Sequence, residues 1–187
     1  MRAVNYSGGR LVFLIGPSGA GKDTVLRWLE RIRPRPAQLH IARRSITRLA
    51  VDRTESHEPL TEAQFQTLVR ANAFALHWCA HGLLYGIRRE ELAPLSTGAN
   101  VIINGSRAYV ACARERYPGL FVVRLSAAPE VLRTRLLLRG RENPQMIASR
   151  MIRNAELATM AVDAEVRNDT SPQQAARQLL ALLGLSG

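Results

Sequence analysis

An α/β fold with a parallel central sheet is the architecture this sequence predicts, and three observations predict it. Short apolar runs alternate with helical patterns along the chain, as βα units on a parallel sheet require. One such run, Leu11-Val12-Phe13-Leu14-Ile15, leads into Gly16-Pro17-Ser18-Gly19-Ala20-Gly21-Lys22-Asp23 and then into a helical stretch from Thr24. That octapeptide fits the phosphate-binding pattern G-x-x-x-x-G-K in its strand–loop–helix setting. Finally, 187 residues, 47% hydrophobic and 22% charged, suffice for a single domain (1–187) with a sizeable core.

Each element has a local reason. Arg10–Ile15 reads as a buried strand, and Asp23–Arg33 as a helix stopped by Pro34 and Pro36. Gln38–Ala42 is a short strand. Arg43–Pro59 is polar and irregular, the signature of a long functional loop. Thr61-Glu62-Ala63-Gln64 is a capping-box start for a helix to about Asn72. Phe74–Ala80 and Leu83–Tyr85 read as extended, Arg88–Leu95 as helical, Asn100–Ile103 as a buried strand and Arg107–Tyr117 as a helix. Leu120–Ser126 is a further strand, followed by a helix over Pro129–Arg139 with proline in its first turn. Asn143-Pro144 opens another helix to about Ala161. Glu165–Arg167 is a last short strand, and Ser171-Pro172 caps a final helix to Leu183. Cys79 and Cys112 make neither a metal cluster nor a disulfide framework, and both are expected as small core residues.

The net charge is +11, the pI is near 11.2, and 25 of the 26 basic residues are arginine. Such a balance raises nucleic acid as a partner. Against it, the arginines are dispersed, and aromatics for base stacking are only 5%. The local clusters, Arg43, Arg44 and Arg48, then Arg133, Arg135, Arg139 and Arg141, fit a small polyanionic substrate equally well. Nucleic acid is therefore not the expected partner. No apolar stretch reaches the roughly 18 residues that span a bilayer, and residues 1–10 lack an apolar leader segment, so no membrane partner and a cytoplasmic location are expected. Oligomeric state is left open.

The single lysine, Lys22, sits inside the glycine loop. The loop Gly16, Pro17, Ser18, Gly19, Ala20, Gly21 and Lys22 would form the anion nest, every residue but Pro17 offering a backbone N–H, and the ammonium reaches the outer phosphates as a compact point charge. Where the motif ends in Ser or Thr, this chain has Asp23 followed by Thr24, two hard oxygen donors suited to Mg²⁺. Arg135 and Arg139 lie four apart on one helix face, Arg141 follows, and Arg150 and Arg153 share a face of the next helix. The spacing suits an arginine-rich helical lid, about 135–155, closing over a triphosphate. No Ser-His-Asp, Cys-His or metal-cluster arrangement stands out. A phosphate acceptor is already ionised at neutral pH and needs no general base, so positioning and electrostatics suffice.

With these motifs in place, the chain resembles the guanylate-kinase-like branch of the nucleoside monophosphate kinases, and within it the ribose 1,5-bisphosphate phosphokinases. The resemblance runs from about Arg10 to Leu183. It is carried by Gly21-Lys22-Asp23, Arg44-Ser45-Ile46-Thr47-Arg48, Glu55-Ser56-His57, Leu76-His77-Trp78 and His81-Gly82-Leu83-Leu84-Tyr85-Gly86. Asn104-Gly105-Ser106-Arg107-Ala108 and Arg139-Gly140-Arg141-Glu142-Asn143 complete it. The resemblance implies a P-loop, nucleoside-monophosphate-kinase-like three-layer fold with an acceptor-binding insertion at about 43–90. It also implies ATP and Mg²⁺ as cofactors, and ATP-dependent phosphorylation of ribose 1,5-bisphosphate to 5-phosphoribosyl 1-diphosphate.

Under that resemblance, Gly16 to Thr24 hold the ATP phosphates and Asp23 and Thr24 lie near the metal. Arg44, Ser45, Arg48, His57, His77, Tyr85, Asn104 and Arg107 face the acceptor, while Lys22, Arg135, Arg139, Arg141 and Arg150 act on the transferring group. Departures from guanylate kinase fall where guanine would be read: Arg44 replaces a serine, His77 a glutamate, His57 a phosphate-binding tyrosine, and Ile102 a strand-end aspartate. Guanine presents N–H donors, so losing carboxylate and hydroxyl acceptors weakens its recognition. Guanylate kinase itself, a non-catalytic guanylate-kinase-like interaction module, and a gluconate-kinase-like sugar kinase are the alternatives.

Overall fold

The computed structural model describes residues 8–33, 38–48, 57–138, 152 and 160–185. Arg139, Arg141, Arg150 and Arg153 lie outside the described residues, as does the helix expected from Asn143 to about Ala161. The strands are β1 (Leu11–Ile15), β2 (Leu39–Ile41), β3 (Arg44–Ile46), β4 (His57–Pro59), β5 (Phe74–Ala80), β6 (Leu83–Arg88), β7 (Asn100–Asn104), β8 (Phe121–Ser126) and β9 (Ala164–Arg167). The helices are α1 (Lys22–Ile32), α2 (Glu62–Arg70), α3 (Val110–Arg116), α4 (Pro129–Leu138) and α5 (Pro172–Leu182).

The main sheet has the order β2-β7-β1-β8-β9, with parallel pairing of β2 to β7 and of β8 to β9. All five residues of β1 and of β7 are buried, which is why β1 reads as an unbroken apolar run and β7 as Val101–Ile103 between two buried asparagines. A second sheet, β4-β3-β6-β5, is mixed: β3 pairs parallel with β4 and antiparallel with β6, and β5 pairs antiparallel with β6.

The chain divides into two compact units, one within residues 1–13 and 34–120, the other within 14–33 and 121–187. In the first, Phe65 of α2 is buried and stacks on Phe74 of β5 with ring centroids 4.6 Å apart. The capping box of α2 forms as the sequence indicates, with Gln64 N donating to Thr61 Oγ1 and Thr61 N to Gln64 Oε1. In the second, α1 packs against α5, burying Val25, Leu26 and Leu29 on one helix and Ala175, Ala176, Leu179 and Leu180 on the other.

Two expectations are corrected and two are refined. The stretch 43–59 is not loop throughout: β3 and β4 form at its ends because each finds a partner distant in sequence, which local polarity conceals. The helix expected over 88–95 is present, with shifted bounds and of the tighter kind. β6 runs on to Arg88, and Arg89–Thr97 is 3₁₀, since Pro94 lacks the N–H that an α-ladder needs. The helix expected from Arg107 begins as a 3₁₀ turn, Arg107–Tyr109, and becomes α only at Val110. Both cysteines are exposed rather than core residues. Cys79 takes the outward pleat next to buried Trp78, and Cys112 lies on the outer side of α3 while Val110 and Ala113 are buried. Among the described residues no helix is long and apolar enough to cross a membrane.

Candidate phosphate and acceptor sites

The anion loop of the second unit is held open by its glycines. Gly19 and Gly21 adopt φ of 91° and 87°, left-handed values that a side chain resists, and Gly21 caps the N-terminus of α1. A Cβ on Gly16 would meet the Leu125 carbonyl oxygen at 2.3 Å, so only glycine lets the loop leave β1 there. Lys22 Nζ donates to the carbonyls of Gly16 at 2.8 Å and Pro17 at 3.3 Å, keeping the ammonium over its own loop. Asp23 is exposed in the first turn of α1, and Thr24 Oγ1 accepts from Arg27 at 3.4 Å.

Two further side chains converge on this loop. A Cβ on Gly21 would stand 2.7 Å from Asn168 Nδ2 and 3.9 Å from Arg135 Nη1. Asn168, just past β9, is buried and donates from Nδ2 to the carbonyl of Ala20 at 2.8 Å. Its Oδ1 and Arg135 Nη1 are both buried without a hydrogen-bond partner. Buried polar atoms left unpaired are costly, and an orphaned guanidinium nitrogen beside a helix N-terminus matches a bound phosphate. Sequence reading singled out Arg135 and missed Asn168. The only signal for Asn168 is its place directly after the last strand, where strand ends in α/β folds carry function.

In the first unit, side chains alternate across the second sheet, so the register divides the candidates between two faces. Arg44 lies opposite Ile87 and His57, Ile46 opposite Tyr85, and Trp78 opposite Tyr85. Arg44, His57, Tyr85 and Trp78 therefore share one face. Arg44 Cζ sits 6.0 Å from the Tyr85 ring centroid. His57 is 5% exposed and neither ring nitrogen has a partner. Its carbonyl accepts from Arg43 Nη2, and Glu91 Oε2 receives both the Arg43 backbone N–H and His40 Nε2.

The opposite face carries Ser45, Glu58, Gly86 and His77. Ser45 Oγ donates to Glu58 Oε2, and Arg88 binds both carboxylate oxygens of Glu58 at 3.0 and 2.6 Å. The Arg88 hydrogen bonds hold the Glu58 carboxyl below its ordinary value, burial opposes them, and the Ser45 hydroxyl assists. His77 lines a cavity of about 480 Å³ with Phe74, Tyr109 and Cys112. Ser45 and His77 are thus set apart from Arg44, His57 and Tyr85. Arg48 is half-buried just after β3, Asn104 is buried at the end of β7, and Arg107 is half-buried in the turn beyond it. A Cβ on Gly105 would strike the Phe13 ring at 2.2 Å, which explains glycine after Asn104. Among the described residues no group of three or more His, Cys, Asp or Glu could hold a metal.

No family model matches the chain. It is 48% identical over 181 residues to ribose 1,5-bisphosphate phosphokinase PhnN of Pseudomonas paraeruginosa, covering 94% of this chain and 96% of that protein. To the protein of the same name from Acidiphilium cryptum it is 46% identical over 175 residues, covering 94% and 92%. Among solved structures, guanylate kinase from Anaplasma phagocytophilum matches with a TM-score of 0.69 at 18% identity, covering 95% of this chain and 86% of that one. This last likeness bears on the fold.

Proposed function

Because this chain belongs to the ribose 1,5-bisphosphate phosphokinase family, we propose that it transfers the terminal phosphoryl group of ATP to ribose 1,5-bisphosphate, giving 5-phosphoribosyl 1-diphosphate and ADP. The observation that carries this reading within the structure is the disposition of charge on the second sheet. Glu58 is the one acidic residue in β3 to β6, and it faces away from Arg44, bound by Arg88 and Ser45. Among the described residues, the face with Arg44, His57 and Tyr85 offers cationic and N–H donor groups and no carboxylate. A purine with N–H donors finds no carboxylate acceptor there, whereas a sugar bisphosphate finds counter-charge.

In this reading Lys22 and the loop N–H groups hold the donor phosphates, and Arg135 Nη1, poised beside Gly21, neutralises charge developing on the transferring group. Arg139, Arg141 and Arg150 complete that set. Asp23 and Thr24 would hold Mg²⁺, which supplies charge neutralisation on the donor phosphates; one carboxylate with phosphate oxygens and water is an ordinary magnesium environment. Arg48, Asn104 and Arg107 join Arg44, His57 and Tyr85 around the acceptor. Ser45 acts from behind, through Glu58, and His77 borders the sheet edge. The acceptor oxygen is already ionised, so orientation replaces a general base.

The test is a coupled ADP-release assay with ribose 1,5-bisphosphate and with GMP. A preference of roughly 100-fold or more in kcat/KM for the sugar bisphosphate is expected from the missing guanine acceptors. Equal or faster turnover of GMP would return the chain to guanylate kinase activity.

A further inference from the structure

The acceptor face of the second sheet is backed by an unusual run of rings. Tyr109 and Trp78 stack with centroids 5.4 Å apart, Trp78 and Tyr85 stack at 5.6 Å with planes only 5° apart, and the Arg44 guanidinium lies over Tyr85. Phe13 closes on Trp78 edge-on at 6.2 Å. The series joins three separate segments of the first unit: the turn after β7, β5 with β6, and β3.

We infer that Trp78 and Tyr109 are positioning residues for the acceptor: their stacked rings fix the plane of Tyr85, and Tyr85 in turn fixes the Arg44 guanidinium. The inference rests on the reading above, in which Arg44 and Tyr85 grip the acceptor.

Three features support a role beyond packing. A chain that only needed to fill this volume could use aliphatic residues, as it does at Leu76 and Ile87, the neighbouring cross-strand pair on the same face. Aliphatic side chains fill space but present no π face, and the parallel planes of Trp78 and Tyr85 restrict ring rotation. Arginine on a long flexible stem loses much rotamer entropy when a ligand orders it, and a cation–π platform meets part of that cost beforehand. Tyr109 also reaches β5, an edge strand of the sheet, lining one cavity together with His77 and Leu76. The series thus begins at Tyr109 and ends in a cation at Arg44.

The experiment measures KM for ribose 1,5-bisphosphate and for ATP, kcat, and melting temperature in full-length Trp78→Leu, Trp78→Phe, Tyr109→Leu and Tyr109→Phe. Trp78→Leu and Tyr109→Leu should raise the acceptor KM about fivefold or more, with ATP KM within about twofold of wild type. Both phenylalanine variants should recover most of the loss, because the ring persists. In an Arg44→Met background, Trp78→Leu should add little further, since the group it positions is gone. Should Trp78→Leu fail to fold, the Tyr109 pair decides alone. The inference is overturned if ATP KM and acceptor KM rise together, if phenylalanine is no better than leucine, or if the Arg44 and Trp78 effects simply add. Wild-type enzyme that ignores ribose 1,5-bisphosphate would instead sink the function proposed above, so the two failures are distinct.

Discussion

The side-chain amide of Asn168 donates to the carbonyl of Ala20 across 148 positions of sequence, at 2.8 Å and fully buried. One donor at the end of β9 thereby holds the phosphate loop in the shape in which its N–H groups converge. Asn168→Leu removes the donor and leaves the Ala20 carbonyl unsatisfied, which should cost about 1–3 kcal/mol of stability. ATP KM should rise as the loop loosens. Asn168→Asp should do no better, because a carboxylate cannot donate to a carbonyl. Denaturant unfolding with ATP titration checks both effects.

Lys22→Arg should lower kcat on the order of 100-fold, although charge is conserved. The ammonium sits within hydrogen-bond reach of two carbonyls of its own loop; a planar guanidinium is too broad for that position. Steady-state kinetics alongside a folded-state check by circular dichroism decide it. A variant near wild type would remove the special role of this lysine.

Arg135→Met should separate function from stability. Its buried Nη1 has no partner, so replacing the guanidinium with an apolar side chain should leave the melting temperature unchanged or higher. Activity should fall by about 100-fold or more as charge neutralisation is lost. A fall in both quantities would mean that Arg135 is structural.

Glu58 gives a pH prediction. Its folded-state pKa lies below the ordinary 4.5, chiefly through Arg88. A depressed carboxylate stabilises the fold above its unfolded pKa, and that contribution is lost as pH falls through the folded value. Wild type should therefore be more stable than Glu58→Gln near neutral pH, with the gap narrowing below 4.5. Urea midpoints across the acid range read this directly, and a gap independent of pH would count against it.

Asp23→Asn should raise the Mg²⁺ concentration needed for half-maximal activity without unfolding the protein. Were Asp23 only a favourable charge at the N-terminus of α1, the change would cost roughly 0.3–1 kcal/mol of stability and leave the metal dependence untouched.

By itself the sequence determined the phosphate loop, its strand and its helix, because glycines, the lone lysine and the flanking apolar runs act over adjacent residues. It determined β7 through Val101–Ile103 and β8 through Phe121–Val123 with Leu125, and α2 through a capping box that forms as written. Arg135 was legible as one of a row of helical arginines. Tertiary structure alone decided the rest. β3 and β4 exist because they pair with residues distant along the chain, and no local propensity records that. Period-2 alternation says that neighbours diverge, but which face meets the acceptor depends on register, so only folding set Ser45 and His77 apart from Arg44, His57 and Tyr85. Asn168 reaches Ala20, and Tyr109 reaches Trp78, through chain crossings that a linear pattern does not encode. Long-range pairing fixed these contacts, since each is favourable only once strands far apart in sequence lie side by side.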